Sequence, residues 1–190
     1  MKIIDFIFVN TERNIQQKIV GAVITNAEHG EEFNSHVAIR FVEFGSYGPK
    51  IVEALNEGFI MSEYDKYKID PKIAYITIEV SDEEYYKMMN LALMYVEQKY
   101  KYAWFSCVLG FVADNISRRL ARFLAKITNS DTDKNIDCSE AATNIIRTKV
   151  KDFCGDLSAA AITPEYFFDH MLIAGYQKRI RIVGTQFSTK

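Results

Sequence analysis

Residues 35–42 read Ser35-His36-Val37-Ala38-Ile39-Arg40-Phe41-Val42, and they decide the fold. Every second residue from Val37 to Phe41 is large and apolar, a pattern that predicts a β-strand with one buried face. His36 lies on the other face of that strand. The turn-forming stretch 45–49, Gly-Ser-Tyr-Gly-Pro, leads into a second apolar run at 50–55. Residues 35–55 are therefore predicted to form a β-hairpin.

A second informative stretch follows about a hundred residues later, at Asp137-Cys138-Ser139-Glu140-Ala141-Ala142. Asp137 and Glu140 have the N-cap and N3 spacing of a capping box, with Asp in place of Ser or Thr. Apolar residues at 138, 141, 142, 145 and 146 repeat at helical spacing. The stretch predicts a helix that begins at Asp137 and carries Cys138 in its first turn, on the inward-facing side.

A thiol at a helix N-terminus and a histidine on a strand are two parts of a cysteine nucleophile site. Free cysteine has a pKa of about 8.5, and the backbone N–H groups of a helix start favour the thiolate. The same groups can stabilise an oxyanion. His36 would be the general base and then the acid that protonates the leaving group. The simpler alternatives are that Cys138 is a small core residue and that His36 is structural.

A third polar group usually orients the imidazole, and Glu53 is the first candidate. It lies on the strand predicted to pair with the His36 strand, and paired strands lie about 4.8 Å apart. A turn centred on Tyr47 would pair Glu53 with a residue near Phe41, so contact with His36 requires a bulge or an earlier turn. Glu43 is the alternative third residue.

The rest of the chain supplies further elements. An alternating strand is predicted at 73–80, followed by a capping box at Ser81–Glu84 that opens a helix through Val96. Thr163-Pro164-Glu165 predicts the start of a last helix, with Pro at its first position, and Gly175 is predicted to end it. The other predicted segments are a buried strand at 18–25, a helical region at 104–126, a loop at 129–136 and a closing strand at 176–183.

Composition indicates one ordinary globular domain over residues 1–190. Apolar residues make up 48% and charged residues 25%, and the net charge of −2 argues against a nucleic-acid partner. The N-terminal stretch lacks the apolar run of a signal peptide, and no segment has the length of a membrane span. Three irregularly spaced cysteines fit reduced thiols, so a cytoplasmic location is expected. No spacing suggests metal ligands, and the chemistry needs no cofactor.

These motifs resemble the circularly permuted NlpC/P60 superfamily of papain-like cysteine hydrolases, in particular its YiiX/YebB-like branch. The similar pieces are residues 35–39, residues 51–54 with Gly58 after them, residues 137–140 and Thr163-Pro164. Together they span roughly residues 20–170. Tyr100-Lys101-Tyr102-Ala103-Trp104 is only loosely similar to the family's aromatic segment ahead of the cysteine.

The resemblance implies an α+β, permuted papain-like (NlpC/P60) fold, in which an antiparallel sheet packs against helices that include the nucleophile helix. It also implies Cys138 as nucleophile, His36 as base and Glu53 as the third polar residue. We expect a thiol-dependent hydrolase, a cysteine peptidase or amidase, that cleaves an amide or isopeptide bond in a cell-wall-type peptide. The alternatives are an acyl-lipid hydrolase or acyltransferase, and an inactive binding or structural module.

The remaining cysteines and histidines have structural interpretations. Cys107 lies in core sequence, Cys154 near a helix end, His29 in a turn and His170 among apolar helix residues. The segment 104–127 combines an apolar run with basic residues. We favour a core helix with a solvated basic face over a helix that contacts a membrane or an acidic partner.

Overall fold

The computed structural model describes residues 1–9, 36–67, 73–103, 120 and 134–186. Outside these residues lie the predicted strand at 18–25, His29, Cys107 and, apart from Leu120, the predicted helical region at 104–126.

The described chain forms an antiparallel sheet with helices packed on it. The strands are β1 (Lys2–Val9), β2 (His36–Phe41), β3 (Lys50–Leu55), β4 (Gly58–Glu63), β5 (Ile73–Val80), β6 (Lys101–Tyr102), β7 (Asn135–Ile136) and β8 (Arg181–Gln186). The α-helices are α1 (Asp82–Glu97), α2 (Cys138–Arg147) and α3 (Pro164–Tyr176). Six strands pair in the order β4-β3-β2-β1-β5-β8, and β6 pairs with β7 in parallel. This arrangement is compatible with the predicted α+β class.

One face of the sheet packs against the helices and forms the main core. Its strand residues include Phe6, Val37 and Val52, and helix α2 contributes Ala142 and Ile145. Since side chains alternate along a strand, residues 36, 38, 51 and 53 point to the opposite face. That face carries a smaller buried cluster of Ile7, Ala38, Ile51 and Ile73.

Several predicted elements are confirmed. Strands β2, β3 and β5 occupy the predicted positions, and Asp137 and Thr163 cap helices α2 and α3. The capping box of α1 is complete: the Glu84 N–H donates to the Ser81 hydroxyl at 3.2 Å, and the Ser81 N–H donates to the Glu84 carboxylate at 2.9 Å. Of the described helices, none is long and apolar enough to cross a membrane.

Other expectations were wrong. Strands β1 and β4 were not predicted, and β7 lies where a loop was expected. Helix α3 continues one residue past Gly175 and ends at Tyr176. The closing strand β8 begins at Arg181, not at residue 176. Gly175 is small because Ile182 of β8 crosses there: a Cβ at Gly175 would lie 2.3 Å from the Ile182 Cδ1. Cys154 lies in a turn with φ of 61°, not at a helix end.

The register of the β2–β3 hairpin decides the position of Glu53. Phe41 pairs with Lys50, so the turn is centred between Gly45 and Ser46, earlier than Tyr47. Glu53 consequently pairs with Ala38 and shares a sheet face with His36. Of the two arrangements that could bring Glu53 to His36, a bulge or an earlier turn, the structure has the earlier turn.

Candidate active site

His36 and Glu53 form a buried contact pair. The His36 Nε2 lies 3.0 Å from the Glu53 Oε2, and the two side chains are 7% and 0% exposed. An ionised carboxylate only accepts hydrogen bonds, so Nε2 carries the hydrogen and Nδ1 is the acceptor nitrogen of the neutral ring. Glu43, the alternative third residue, is exposed and accepts a hydrogen bond from the Lys2 ammonium instead. The structure thus brings Glu53, not Glu43, to His36.

Glu53 is surrounded by hydrogen-bond donors from β4 and the turn after it. The Ser62 hydroxyl and the Lys66 ammonium donate to Oε1, the latter at 2.5 Å, and the Tyr67 hydroxyl donates to Oε2 at 2.6 Å. Burial by itself raises the pKa of Glu53. The hydrogen bond and charge of His36, with the bonds from Lys66 and Ser62, outweigh burial and hold this pKa well below its usual range. Glu53 is therefore a carboxylate over the whole physiological pH range.

Tyr67 connects this pair with the cysteine. Its pKa is raised by burial first, then by the charge and hydrogen bond of Glu53, and also by the charge of Cys138. Tyr67 packs against the cluster that contains Ala38, on the sheet face of His36 and Glu53. Tyr67 therefore interacts both with Glu53 and, electrostatically, with Cys138.

Cys138 is the first residue of α2 and is buried, as the sequence predicts. Asp137 holds the first turn: its Oδ1 accepts the Glu140 N–H at 2.7 Å, and its carbonyl accepts the Ala141 N–H at 3.0 Å. The Ser139 N–H also donates to the Asp137 carboxylate. The predicted oxyanion role cannot be filled by these three amides, because Asp137 already uses them.

The helix start is anchored to the segment that precedes α3. The Ser139 hydroxyl donates to the Ile162 carbonyl at 2.5 Å and lies 2.9 Å from the Asp137 Oδ1. Burial raises the pKa of Asp137 to about 7, although hydrogen bonds from Glu140 and Ser139 oppose that rise. The residue before the cysteine is thus a buried acid that titrates near neutral pH.

The cysteine and the histidine lie on elements that belong to opposite faces of the sheet. Helix α2 packs on the face of Val37 and Val52, whereas His36 and Glu53 point to the other face. His36 is the first residue of β2, and Cys138 is the first residue of α2. Each of the two residues thus begins its element, and Cys138 belongs to the core cluster on the helix-covered face.

Sequence reasoning missed Ser62, Lys66 and Tyr67. Ser62 lies on β4, which was not predicted, and the other two lie in the turn that follows it. No spacing rule links them to Glu53, since their contacts depend on strand pairing. The only signal was a polar Ser62 two residues after Ile60, on the strand face that Glu53 shares.

The other described cysteine and histidine lie outside this site. Burial raises the pKa of the Cys154 thiol to about 12, which makes it a poor nucleophile. His170 places Nδ1 2.9 Å from the Tyr166 carbonyl and stacks on the Tyr166 ring. Within the described ranges, no three His, Cys, Asp or Glu side chains are grouped as a metal site.

Comparison with known proteins adds no relative. No family, no curated protein and no solved structure matches the chain.

Proposed function

We propose that this protein is a thiol-dependent hydrolase with a permuted papain-like fold, in which Cys138 is the nucleophile, His36 the base and Glu53 the residue that orients His36. One observation carries the proposal: a buried imidazole–carboxylate pair between β2 and β3, whose carboxylate binds Tyr67, with a helix-start cysteine that interacts electrostatically with that tyrosine. The resemblance of the motifs to permuted NlpC/P60 hydrolases supports the same roles.

The reaction follows from these roles. The His36 Nδ1 takes the proton of the Cys138 thiol, and the thiolate sulfur attacks the substrate carbonyl carbon. As the tetrahedral intermediate collapses, the imidazolium returns this proton to the leaving amine and a thioester remains. His36 then removes a proton from water, which attacks the thioester and releases the acid and the Cys138 thiol.

Glu53 keeps His36 in the tautomer that this sequence of steps needs. Its carboxylate accepts the Nε2 hydrogen and leaves Nδ1 for the thiol proton. It also stabilises the imidazolium that forms in the first step. The hydrogen bonds from Lys66 and Ser62 remain when His36 loses its charge, and they favour the ionised form of Glu53 throughout.

We propose an amide or isopeptide bond in a cell-wall-type peptide as the target, and this substrate class rests on the resemblance alone. Incubation with a peptide amide and with a fatty-acyl ester, followed by mass spectrometry of the intact protein, separates the substrate alternatives. An acyl adduct on Cys138 from the amide supports the peptide reading. An adduct from the ester alone supports the acyl-lipid alternative. No adduct from either supports the binding module.

Thiol reactivity tests the nucleophile directly. We expect iodoacetamide at pH 5.5 to label Cys138 at least about tenfold faster than Cys154, because a paired thiolate persists where an ordinary thiol is protonated. Peptide mass spectrometry reads the cysteines separately. His36→Ala should slow Cys138 labelling, and His170→Ala is the matched control that should not. Equally slow labelling of Cys138 and Cys154 in the native protein would contradict the proposal.

A further inference from the structure

We propose that Lys66 and Tyr67 are positioning residues that clamp the two oxygens of Glu53 and thereby hold His36 in its reactive orientation. The inference rests on the proposed function, because the orientation of His36 matters only if His36 acts on Cys138. It assigns a role to the turn after β4, which none of the recognised motifs contains.

The clamp is defined by which oxygen each donor binds. The Lys66 ammonium is 2.5 Å from Oε1, and the Tyr67 hydroxyl is 2.6 Å from Oε2, the oxygen that also contacts His36. A carboxylate bound at only one oxygen can rotate about its terminal bond. Lys66, together with the Ser62 hydroxyl, holds Oε1, and Tyr67 holds Oε2, so that Oε2 stays directed at the His36 Nε2.

Charge gives Lys66 a second effect. In the proposed reaction His36 alternates between a neutral and a protonated ring, whereas Glu53 stays ionised. A buried carboxylate beside a neutral imidazole would be an uncompensated charge, which is costly. The charged or titratable groups that contact Glu53 in the described chain are His36 from β2 and Lys66 and Tyr67 from the turn. Lys66 is therefore the cation that compensates Glu53 when His36 is neutral.

The two residues also support each other. The Lys66 ammonium lies 5.1 Å from the centre of the Tyr67 ring, within cation–π range. The Tyr67 ring packs on the buried cluster that includes Ala38, whereas the Lys66 side chain is 35% exposed. Tyr67 thus anchors the turn, and Lys66 can be exchanged without opening the core.

The test compares variants by the rate of Cys138 alkylation between pH 4.5 and 8. Lys66→Met should slow the reaction about tenfold at pH 5 and move its acid limb to higher pH, since removing a cation from the site favours the protonated forms of the groups around it. Lys66→Arg should restore the rate to within about threefold, because it keeps the charge. Tyr67→Phe keeps the ring and should slow the reaction about threefold. Lys50→Met is the matched control, because Lys50 pairs with the exposed Glu63.

A second readout reports orientation without alkylation. In the native protein, ¹⁵N NMR of the His36 ring should show the Nε2–H tautomer, and Lys66→Met with Tyr67→Phe should mix the tautomers. The clamp is refuted if both single variants keep the native pH profile and the double variant keeps the native tautomer, while His36→Ala still slows labelling. If His36→Ala has no effect either, the proposed function itself fails. If Lys66→Met does not fold, the profile of Tyr67→Phe decides.

Discussion

Replacing Glu53 by glutamine removes the charge at the centre of the site and keeps its shape. The native carboxylate accepts hydrogen bonds from four side chains: His36, Ser62, Lys66 and Tyr67. A glutamine keeps one oxygen for two of these donors and turns an NH₂ group toward the other two. Each buried donor left without an acceptor costs about 1–3 kcal/mol, and breaking a buried ion pair costs about 3–5 kcal/mol. We therefore expect Glu53→Gln to lower the free energy of unfolding by about 3 kcal/mol at pH 7.

Urea unfolding with Glu63→Gln as the matched control measures this loss. Glu63 lies on the same pair of strands, is 85% exposed and pairs with Lys50. Losing an exposed pair costs less than about 1 kcal/mol. The two variants make the same chemical change, so the difference between them reports the buried environment.

The pH dependence of this difference has a definite sign. The pKa of Glu53 is lower in the folded protein than its unfolded value of 4.5. Its contribution is therefore fully present above about pH 4.5 and is lost as the pH falls toward the folded pKa. The stability gap between native protein and Glu53→Gln should be constant from pH 5.5 to 7 and shrink below about pH 4.5. A cost equal to that of Glu63→Gln, or a gap that grows in acid, would refute the reasoning.

Two further predictions concern the backbone and the helix cap. Gly58→Ala should cost at least about 2 kcal/mol in urea unfolding, since Gly58 has φ of +117° and a Cβ would lie 2.3 Å from the Tyr100 carbonyl oxygen. Gly155→Ala, with φ of +65° and open space around it, is its control and should cost only about 1 kcal/mol; equal costs would contradict the contact argument. Asp137→Asn keeps the helix cap but removes a titratable acid. In the native protein the folded pKa of Asp137, about 7, exceeds its unfolded value, so the stability of the native protein falls as the pH rises from about 4 to 7. The stability of the variant relative to the native protein should rise by about 3 kcal/mol between pH 4.5 and 8, and a constant gap over that range would contradict the prediction.

The parts of the fold that follow local rules were predictable. Alternation identified β2 and β5, an apolar run after a turn-forming stretch identified β3, and cap residues located the starts of the three described helices, because these signals depend on neighbours within a few residues. Strand β4 was missed because its residues, Gly58 to Glu63, alternate only weakly between apolar and polar. Strand β1 was missed because its central run, Ile3 to Phe8, carries only one polar residue, Asp5, in place of alternation. It lies between β2 and β5, with one face in the core and the other partly covered, and such strands lack a clear period of two.

Local sequence patterns specify the chemical types in the site: a cysteine at a helix start, a histidine at a strand start and a glutamate on the next strand. Tertiary structure decided which of them meet. The position of the turn put Glu53 opposite Ala38, and a shift of one residue would have placed it on the other face. The pairing of β3 with β4 then brought Ser62, Lys66 and Tyr67 to the same carboxylate. The register of strand pairing is a non-local property, because it is set by the packing of both sheet faces. No local sequence motif can therefore predict these contacts.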